Sequence, residues 1–211
     1  MPITISYAIT VKDELKEIQS LIERLLKYKT PNDEIIVVFD EKTNDKLVKD
    51  YLQSQEGIKW FPFQFNNNFA DLKNYMNINC NSEWIFHIDA DEIPDEMLLT
   101  NLESIVDANN EIDVIWVPRI NMVEGLTQEH ITKWRWNVNE QGWVNWPHDA
   151  QCRIYKNLPS IHWVNRVHEK LVGYKSYSKL PDKKEFSLWH IKQIDRQERQ
   201  NSFYERILDE I

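Results

Sequence analysis

The sequence predicts an α/β fold: a Rossmann-like, mostly parallel central sheet with helices on its faces. Three observations predict it. Short apolar runs before residue 90 are separated by segments whose apolar residues recur at helical spacing, the order that builds strand-helix-strand units. Glu34 to Phe39 is almost continuously apolar, as in strands covered on both faces. Thr10, Asp40 and Asp89 then fall at strand exits, and in doubly wound sheets ligands bind beyond those carboxyl ends.

Ile3 to Ile9 reads as the first strand, and Leu15, Ile18, Leu21, Ile22, Leu25 and Leu26 give the following helix one buried face. Thr30-Pro31-Asn32-Asp33 ends it, and Glu34 to Phe39 forms the second strand with Asp40 at its exit. Leu47, Val48, Tyr51 and Leu52 mark a second helix, Ile58 to Phe65 a third strand, Phe69 to about Asn79 a third helix, and Glu83 to Ile88 a fourth strand. Pro94 to Val106 reads as a helix and Ile112 to Ile120 as a strand with a polar exit at Arg119 and Asn121. Val123 to Pro147 is a Trp-rich stretch, with Trp134, Trp136, Trp143 and Trp146, expected to form a loop over a pocket. Ala150 to Tyr155 and Ser187 to His190 read as short strands; Phe203, Tyr204, Ile207, Leu208 and Ile211 outline a tail helix that packs on the domain. Without a linker or repeat, residues 1–211 are read as a single domain.

Composition narrows the function classes. At 211 residues and 42% hydrophobic content the chain can bury a real core. A formal net charge of -9 argues against broad nucleic-acid binding, so no nucleic-acid partner is expected. Cys80 and Cys152 are too few for a disulfide scaffold and are expected to be buried, unreactive thiols in a reducing compartment. No signal peptide and no transmembrane segment is found, so a cytoplasmic protein is expected. Only four glycines occur, and neither Gly-x-Gly-x-x-Gly nor a Walker loop is present, which sets aside dinucleotide dehydrogenases and P-loop NTPases.

Trp84-Ile85-Phe86-His87-Ile88-Asp89-Ala90-Asp91-Glu92 carries most of the chemistry. A dry strand that ends in clustered carboxylates needs a cation, because like charges repel and resist desolvation. On an extended segment Asp89 and Asp91 point the same way and can share one ligand. Hard oxygen ligands suit Mg2+ or Mn2+, which usually meet a protein through one or two carboxylates plus substrate phosphates. The competing reading is an ordinary turn and helix start, with Asp91 or Asp95 as the cap and Glu96 in the first turn.

Across nearly its whole length the chain resembles glycosyltransferases of the family 2 type with a GT-A fold. Ile9-Thr10-Val11-Lys12-Asp13-Glu14 is similar to the family's Val-Lys-Asn-Glu exit, with Asp13 for Asn. Val37-Val38-Phe39-Asp40 followed by Thr43-Asn44-Asp45 resembles its strand-end Asp and following turn, though Glu41 and Lys42 depart from the glycine-bearing version. Asn68-Phe69-Ala70-Asp71-Leu72-Lys73-Asn74 resembles Phe-Ala-x-x-Arg-Asn with Lys73 for Arg, and Trp84 to Glu92 the Asp-x-Asp element. Arg153-Ile154-Tyr155-Lys156 and Arg166-Val167-His168-Glu169 resemble elements of the bacterial glucosyltransferase-like branch, and Trp189-His190 the late metal-binding His.

The resemblance implies a nucleotide-binding half over about residues 1–120 and an acceptor-side half over about 121–211. It implies that Asp40 reads the base, that Ile9, Thr10 and Lys12 line that pocket, and that Lys73 neutralises diphosphate. Asp40 has a competing reading as a helix cap. Asp91 is the implied metal ligand, Asp89 a ribose or second metal ligand, and His190 completes the site for Mn2+ or Mg2+. His87 is expected to pack beneath the site, and Glu92 to start the next helix. Glu169 is the expected catalytic base, with His168 and Asp149 as competitors and a salt bridge to Arg166 or Lys170 as its structural alternative.

The implied function is an inverting, metal-dependent hexosyltransferase. It would move sugar from a nucleotide sugar, UDP favoured, to a glycan, lipid-linked or protein acceptor, as in surface glycan or lipopolysaccharide-like synthesis. A catalytically silent nucleotide-sugar-binding or scaffold protein and a metal-dependent nucleotidyltransferase are the alternatives.

Overall fold

A computed structural model describes residues 3–209. The first strand, β1 (Ile5–Val11), precedes α1 (Leu15–Tyr28), β2 (Glu34–Asp40), α2 (Lys46–Ser54), β3 (Lys59–Phe63), α3 (Phe69–Ile78) and β4 (Trp84–Asp89). The expected strand-helix alternation is therefore present, with strand ends moved by one or two residues. Polar residues set the starts: Asp45 Oδ1 accepts from Val48 N at 3.0 Å and Asn68 Oδ1 from Ala70 N at 3.1 Å, capping α2 and α3.

After β4 the sequence reading needs correction. Glu92 does not start a helix: Glu92–Pro94 is a short strand, β5, and the helix expected from Pro94 to Val106 is two helices, α4 (Glu96–Thr100) and α5 (Leu102–Ala108). Asp95 caps the first of them through Met97 N at 3.0 Å, and Asn101 interrupts the pair by donating its side-chain amide to Met97 O at 2.8 Å. Strand β6 (Val114–Glu124) starts two residues later than expected and runs into the Trp-rich stretch, which also holds α6 (Gln128–Trp134). Next come β7 (Ala150–Lys156), β8 (His162–Val164), β9 (Lys170–Val172), β10 (Tyr177–Lys179), β11 (Leu188–Gln193) and α7 (Ile194–Asp209). Strands β8 to β10 were missed because three residues are too few to show a period.

Among the described residues nine strands form one sheet in the order β3-β2-β1-β4-β7-β6-β11-β5, with β10 against β6, and β8 and β9 make a separate hairpin. The β3-β2-β1-β4 block is parallel. Strand β7 lies antiparallel between β4 and β6, and β11 runs parallel to β6. The register sets Thr10 beside Asp89, and His190 beside both Glu92 and Asn121. This brings the acidic turn and the late histidine to one region.

Both faces of the sheet are covered. Tyr7, Ile9 and Val11 pack on one face with Ile18, Leu21, Ile22 and Leu25 of α1 and with Leu98 and Leu102; Ala8, Ile36 and Val38 pack on the other with Ala70, Leu72 and Met76 of α3 and with Trp163. Burial pushes the Cys80 thiol up to about 12 and the Cys152 thiol to about 11, so both are poor nucleophiles, as expected, although Cys152 is half-buried where a buried thiol was expected. In α7, Phe203 and Tyr204 meet Phe69 edge-on and Ile207 is buried, while Ile211 lies outside the described residues.

Candidate active site

A cavity of about 1860 Å3 opens at the carboxyl ends of the parallel strands. Thr10, Lys12, Asp40, Lys73, Asp89, Asp91, Glu169 and His190 all line it, as do His168 and Asp149. Ile9 does not. Alternation along β1 turns Ile9 into the core, where it is 0% exposed, and turns Thr10 toward the site.

Asp89 and Asp91 do not share one ligand set. Extended backbone ends at Asp89, and Ala90 and Asp91 form a turn, so the parity expected of a strand is lost between the two carboxylates. Asp89 Oδ2 accepts from Arg153 Nη2 at 2.5 Å, and the same nitrogen donates to Glu92 Oε1 at 2.5 Å. Glu92 Oε1 also accepts from Arg119 Nη1 at 3.1 Å, while its Oε2 accepts from Asp89 N at 3.1 Å. Glu92 thus ties the acidic turn to two arginines, and the burial of its carboxylate is balanced by charge. Burial would raise the Asp89 carboxyl, but the charges of Arg153 and Lys73 prevail and hold it well below the usual range.

His87 packs beneath the site, as expected, and its tautomer follows from its neighbours. Arg153 Nη1 donates to His87 Nδ1 at 2.7 Å. A guanidinium only donates, so Nδ1 holds a lone pair and Nε2 carries the proton. That N–H faces Asp89 Oδ1 at 3.3 Å, off line for a well-formed hydrogen bond. Burial lowers the imidazole pKa to about 4, so the ring is neutral near pH 7.

His190 is set the opposite way. Asn121 Nδ2 donates to Asp149 Oδ2 at 2.5 Å, which turns Asn121 Oδ1 toward His190 Nδ1 at 2.7 Å. An amide oxygen only accepts, so Nδ1 carries the proton. Burial lowers the His190 pKa, which favours the neutral ring. Its Nε2 lone pair then faces Asp91 Oδ2 at 3.3 Å.

Two acceptors that face each other at this distance call for a shared cation. Lys192 Nζ at 3.4 Å and Arg196 Nη2 at 3.5 Å supply positive charge to the same Asp91 oxygen. Burial would raise the Asp91 carboxyl, but positive charge at this spot, an imidazolium when His190 is protonated and Lys192 throughout, holds it well below the ordinary range. A histidine that gives its second ring N–H to an amide oxygen and presents Nε2 beside a carboxylate is a suitable donor pair for a divalent ion. Asp89 does not join it, and among the described residues no three His, Cys, Asp or Glu side chains converge as a ready cage.

The remaining candidates are placed as follows. Asp40 caps the turn at 41–43 through Lys42 N at 3.0 Å, the competing reading raised for it, yet it still lines the cavity; burial raises its carboxyl. Lys12 and Asp13 donate their backbone amides to Glu14 Oε2 at 2.7 and 3.1 Å, which fixes the first-strand exit. Lys73 is buried, ion-paired with Glu169, and lies 4.5 Å from the centre of the Trp163 ring. Glu169 is therefore paired with Lys73, and neither expected partner, Arg166 or Lys170, holds it. Burial would raise the Glu169 carboxyl, but Lys73 holds it down.

Asp149 is more heavily engaged. Its Oδ2 accepts from Arg119 Nε at 2.9 Å as well as from Asn121, and its Oδ1 accepts from Gln151 Nε2 at 2.5 Å. Of the four Trp expected over the pocket, Trp136 lines the cavity, with Trp116 and Trp163 from elsewhere. Trp143 instead packs edge-on against Trp146 and Trp189. Sequence reasoning missed Glu14, Lys192 and Arg196 as site groups, and it assigned no role to Arg119 or Arg153. Ordinary charged residues on strands and helices carry no motif, so only the fold reveals them.

A mostly parallel sheet covered on both faces, with an acidic turn and a late histidine at its carboxyl edge, defines the GT-A class of architecture. The chain matches the family described as Glycosyl transferase family 2 over residues 6–166, and it belongs to that family. The match ends before Glu169 and His190. No curated protein matches the chain by sequence. Among solved structures it is similar to TarS 1-349 of S. aureus, with 16% identity and a TM-score of 0.60 over 90% of this chain and 60% of that one. The UDP complex of TarS 1-349 gives 14%, 0.62, 90% and 60%, and the UDP-GlcNAc complex 16%, 0.58, 91% and 59%. The chain thus spans about 60% of the length of these neighbours. Among the described residues no helix is long and apolar enough to cross a membrane.

Proposed function

We propose that this chain transfers a hexose from a UDP-sugar to an acceptor hydroxyl with inversion, at a site that takes Mn2+ or Mg2+ on Asp91 and His190. The carrying observation is the His190 tautomer, which aims a lone pair at the Asp91 carboxylate. The UDP and UDP-GlcNAc held by the TarS structures support the donor class. When bound, the divalent ion supplies positive charge to the diphosphate oxygens, where negative charge grows as the sugar-phosphate bond breaks.

The chain's own residues do the rest. Asp40 accepts from the base, Thr10 and Lys12 line the same pocket, and the Asp89 oxygen that Arg153 does not hold accepts from ribose. Lys73 holds and orients Glu169. Glu169 Oε2 removes the acceptor proton on the face opposite the leaving group. Glu169 suits this task better than Asp149, because Lys73 engages only its Oε1, whereas both Asp149 oxygens already accept hydrogen bonds. The cavity, about 1860 Å3, exceeds the roughly 300–1,000 Å3 of a typical single-ligand site, which leaves room for donor and acceptor together. The acceptor belongs on the side of Trp116, Trp136 and Asp149, and a cytoplasmic setting with a glycan, lipid-linked or protein acceptor fits this chemistry.

Thermal-shift and turnover measurements test the reading. UDP-sugars with Mn2+ are expected to raise the melting temperature, and Mn2+-dependent release of UDP excludes a silent binder. Glu169→Gln is expected to lower transfer roughly 10²- to 10⁴-fold with donor binding intact. If no nucleoside diphosphate stabilises the protein, the reading fails; full activity in Glu169→Gln moves the base elsewhere.

A further inference from the structure

Lys192 differs from the other cations of the cavity. It projects from β11, is only 7% exposed, and donates to Gln200 Oε1 at 2.6 Å. Among the described residues its one carboxylate partner within ion-pairing distance is Asp91, at 3.4 Å. Arg196 has a closer partner of its own, Glu14 Oε1 at 2.6 Å, and also meets Glu17 at 3.4 Å. Lys73 is held by Glu169.

If Asp91 is committed to a divalent ion, Lys192 loses its counter-charge and gains a like-charged neighbour. A buried ammonium left in that state is strongly unfavourable. An anion must therefore arrive with the ion, and Lys192 lines the cavity from which it would come. Gln200 keeps the ammonium in place, and the remaining N–H donors are free for phosphate oxygens.

We propose that Lys192 is a binding residue for the donor's diphosphate, kept neutralised by Asp91 in the free protein and transferred to phosphate oxygens when Asp91 takes the divalent ion. The assignment rests on the nucleotide-sugar reading above. It also implies that ion and nucleoside diphosphate bind with positive coupling, because each removes the other's electrostatic cost.

Calorimetric titrations of wild type, Lys192→Met and Lys192→Arg with Mn2+ alone, with uridine plus Mn2+, and with UDP plus Mn2+ test it. Lys192→Met is expected to weaken UDP roughly 10- to 100-fold, the worth of one charge-assisted hydrogen bond. Uridine affinity should stay unchanged, and Mn2+ alone should bind as well or more tightly, since a competitor for Asp91 is gone. Lys192→Arg should restore most of the UDP affinity. A lysine with a merely structural role would weaken all three ligands together, and that result overturns the proposal, as does unchanged UDP affinity in Lys192→Met. Failure of wild type to bind UDP overturns the nucleotide-sugar reading itself, so the two failures are distinct.

Discussion

His87 with Asp89 and His190 with Asp91 are two imidazole-carboxylate pairs, each with 3.3 Å between nitrogen and oxygen, and they are built for opposite ends. In the first, a guanidinium donates to Nδ1, so the ring turns a proton toward its carboxylate. In the second, an amide oxygen accepts from Nδ1, so the ring turns a lone pair toward its carboxylate. One pair is braced and charge-balanced by Arg153, although its Nε2–H makes no well-formed hydrogen bond, and the other sets two acceptors face to face. The identity of the atom on the far side of each ring decides which pair is braced by the protein and which can take a divalent ion.

If Arg153 braces the Asp89 side, its removal must damage folding. Arg153→Leu leaves Glu92, 0% exposed, and Asp89 without the guanidinium that bonds both at 2.5 Å. Breaking a buried ion network in this way costs about 3–5 kcal/mol, measurable by urea denaturation. A cost under about 1 kcal/mol would break the comparison, because the arginine would then belong to the open cleft.

The second effect is a pH dependence. His87 must stay neutral when folded, with its pKa lowered to about 4 by burial from an ordinary 6.5. Between those values the unfolded chain binds more protons than the folded one, so stability falls as pH drops from 6.5 toward 4 and returns as pH rises. The contribution is roughly 3 kcal/mol at the acid end, from about 1.36 kcal/mol per pH unit. His87→Asn keeps an acceptor for Arg153 and cannot titrate, so its stability profile should be flatter than wild type over that window. Parallel profiles would show that His87 is not the proton-linked group.

The contrast also marks what the sequence could reveal. The parallel block from β1 to β4 was legible because continuous apolar runs end on polar residues, and Thr10, Asp40 and Asp89 stand at the cavity as expected. Ile9 was misplaced although strand alternation already separates it from Thr10. Parity failed for Asp91 because the strand stops one residue too soon. The partners were not legible: Arg153 reaches Asp89 across 64 positions and Lys73 reaches Glu169 across 96. Such pairings come from sheet order, in which β7 enters antiparallel beside β4, and no local pattern encodes that.

Asp91→Asn sharpens the comparison with the smallest change in stability. An asparagine at this position can turn its amide N–H toward His190 Nε2 and remove the clash of two acceptors. Against that gain, Lys192 loses its counter-charge at 3.4 Å, a cost that is real for a side chain only 7% exposed and is eased by Gln200, which still accepts from its ammonium. The two effects partly offset, so the loss should stay below the roughly 3–5 kcal/mol expected of Arg153→Leu. The variant should nevertheless lose the melting-temperature rise that Mn2+ with UDP is expected to give wild type, since a neutral amide is a poor ligand for a hard cation. A protein that keeps most of its stability and no longer responds to the ion would place the function on Asp91. Destabilisation as severe as that of Arg153→Leu would instead make Asp91 a second structural carboxylate and erase the distinction between the two pairs.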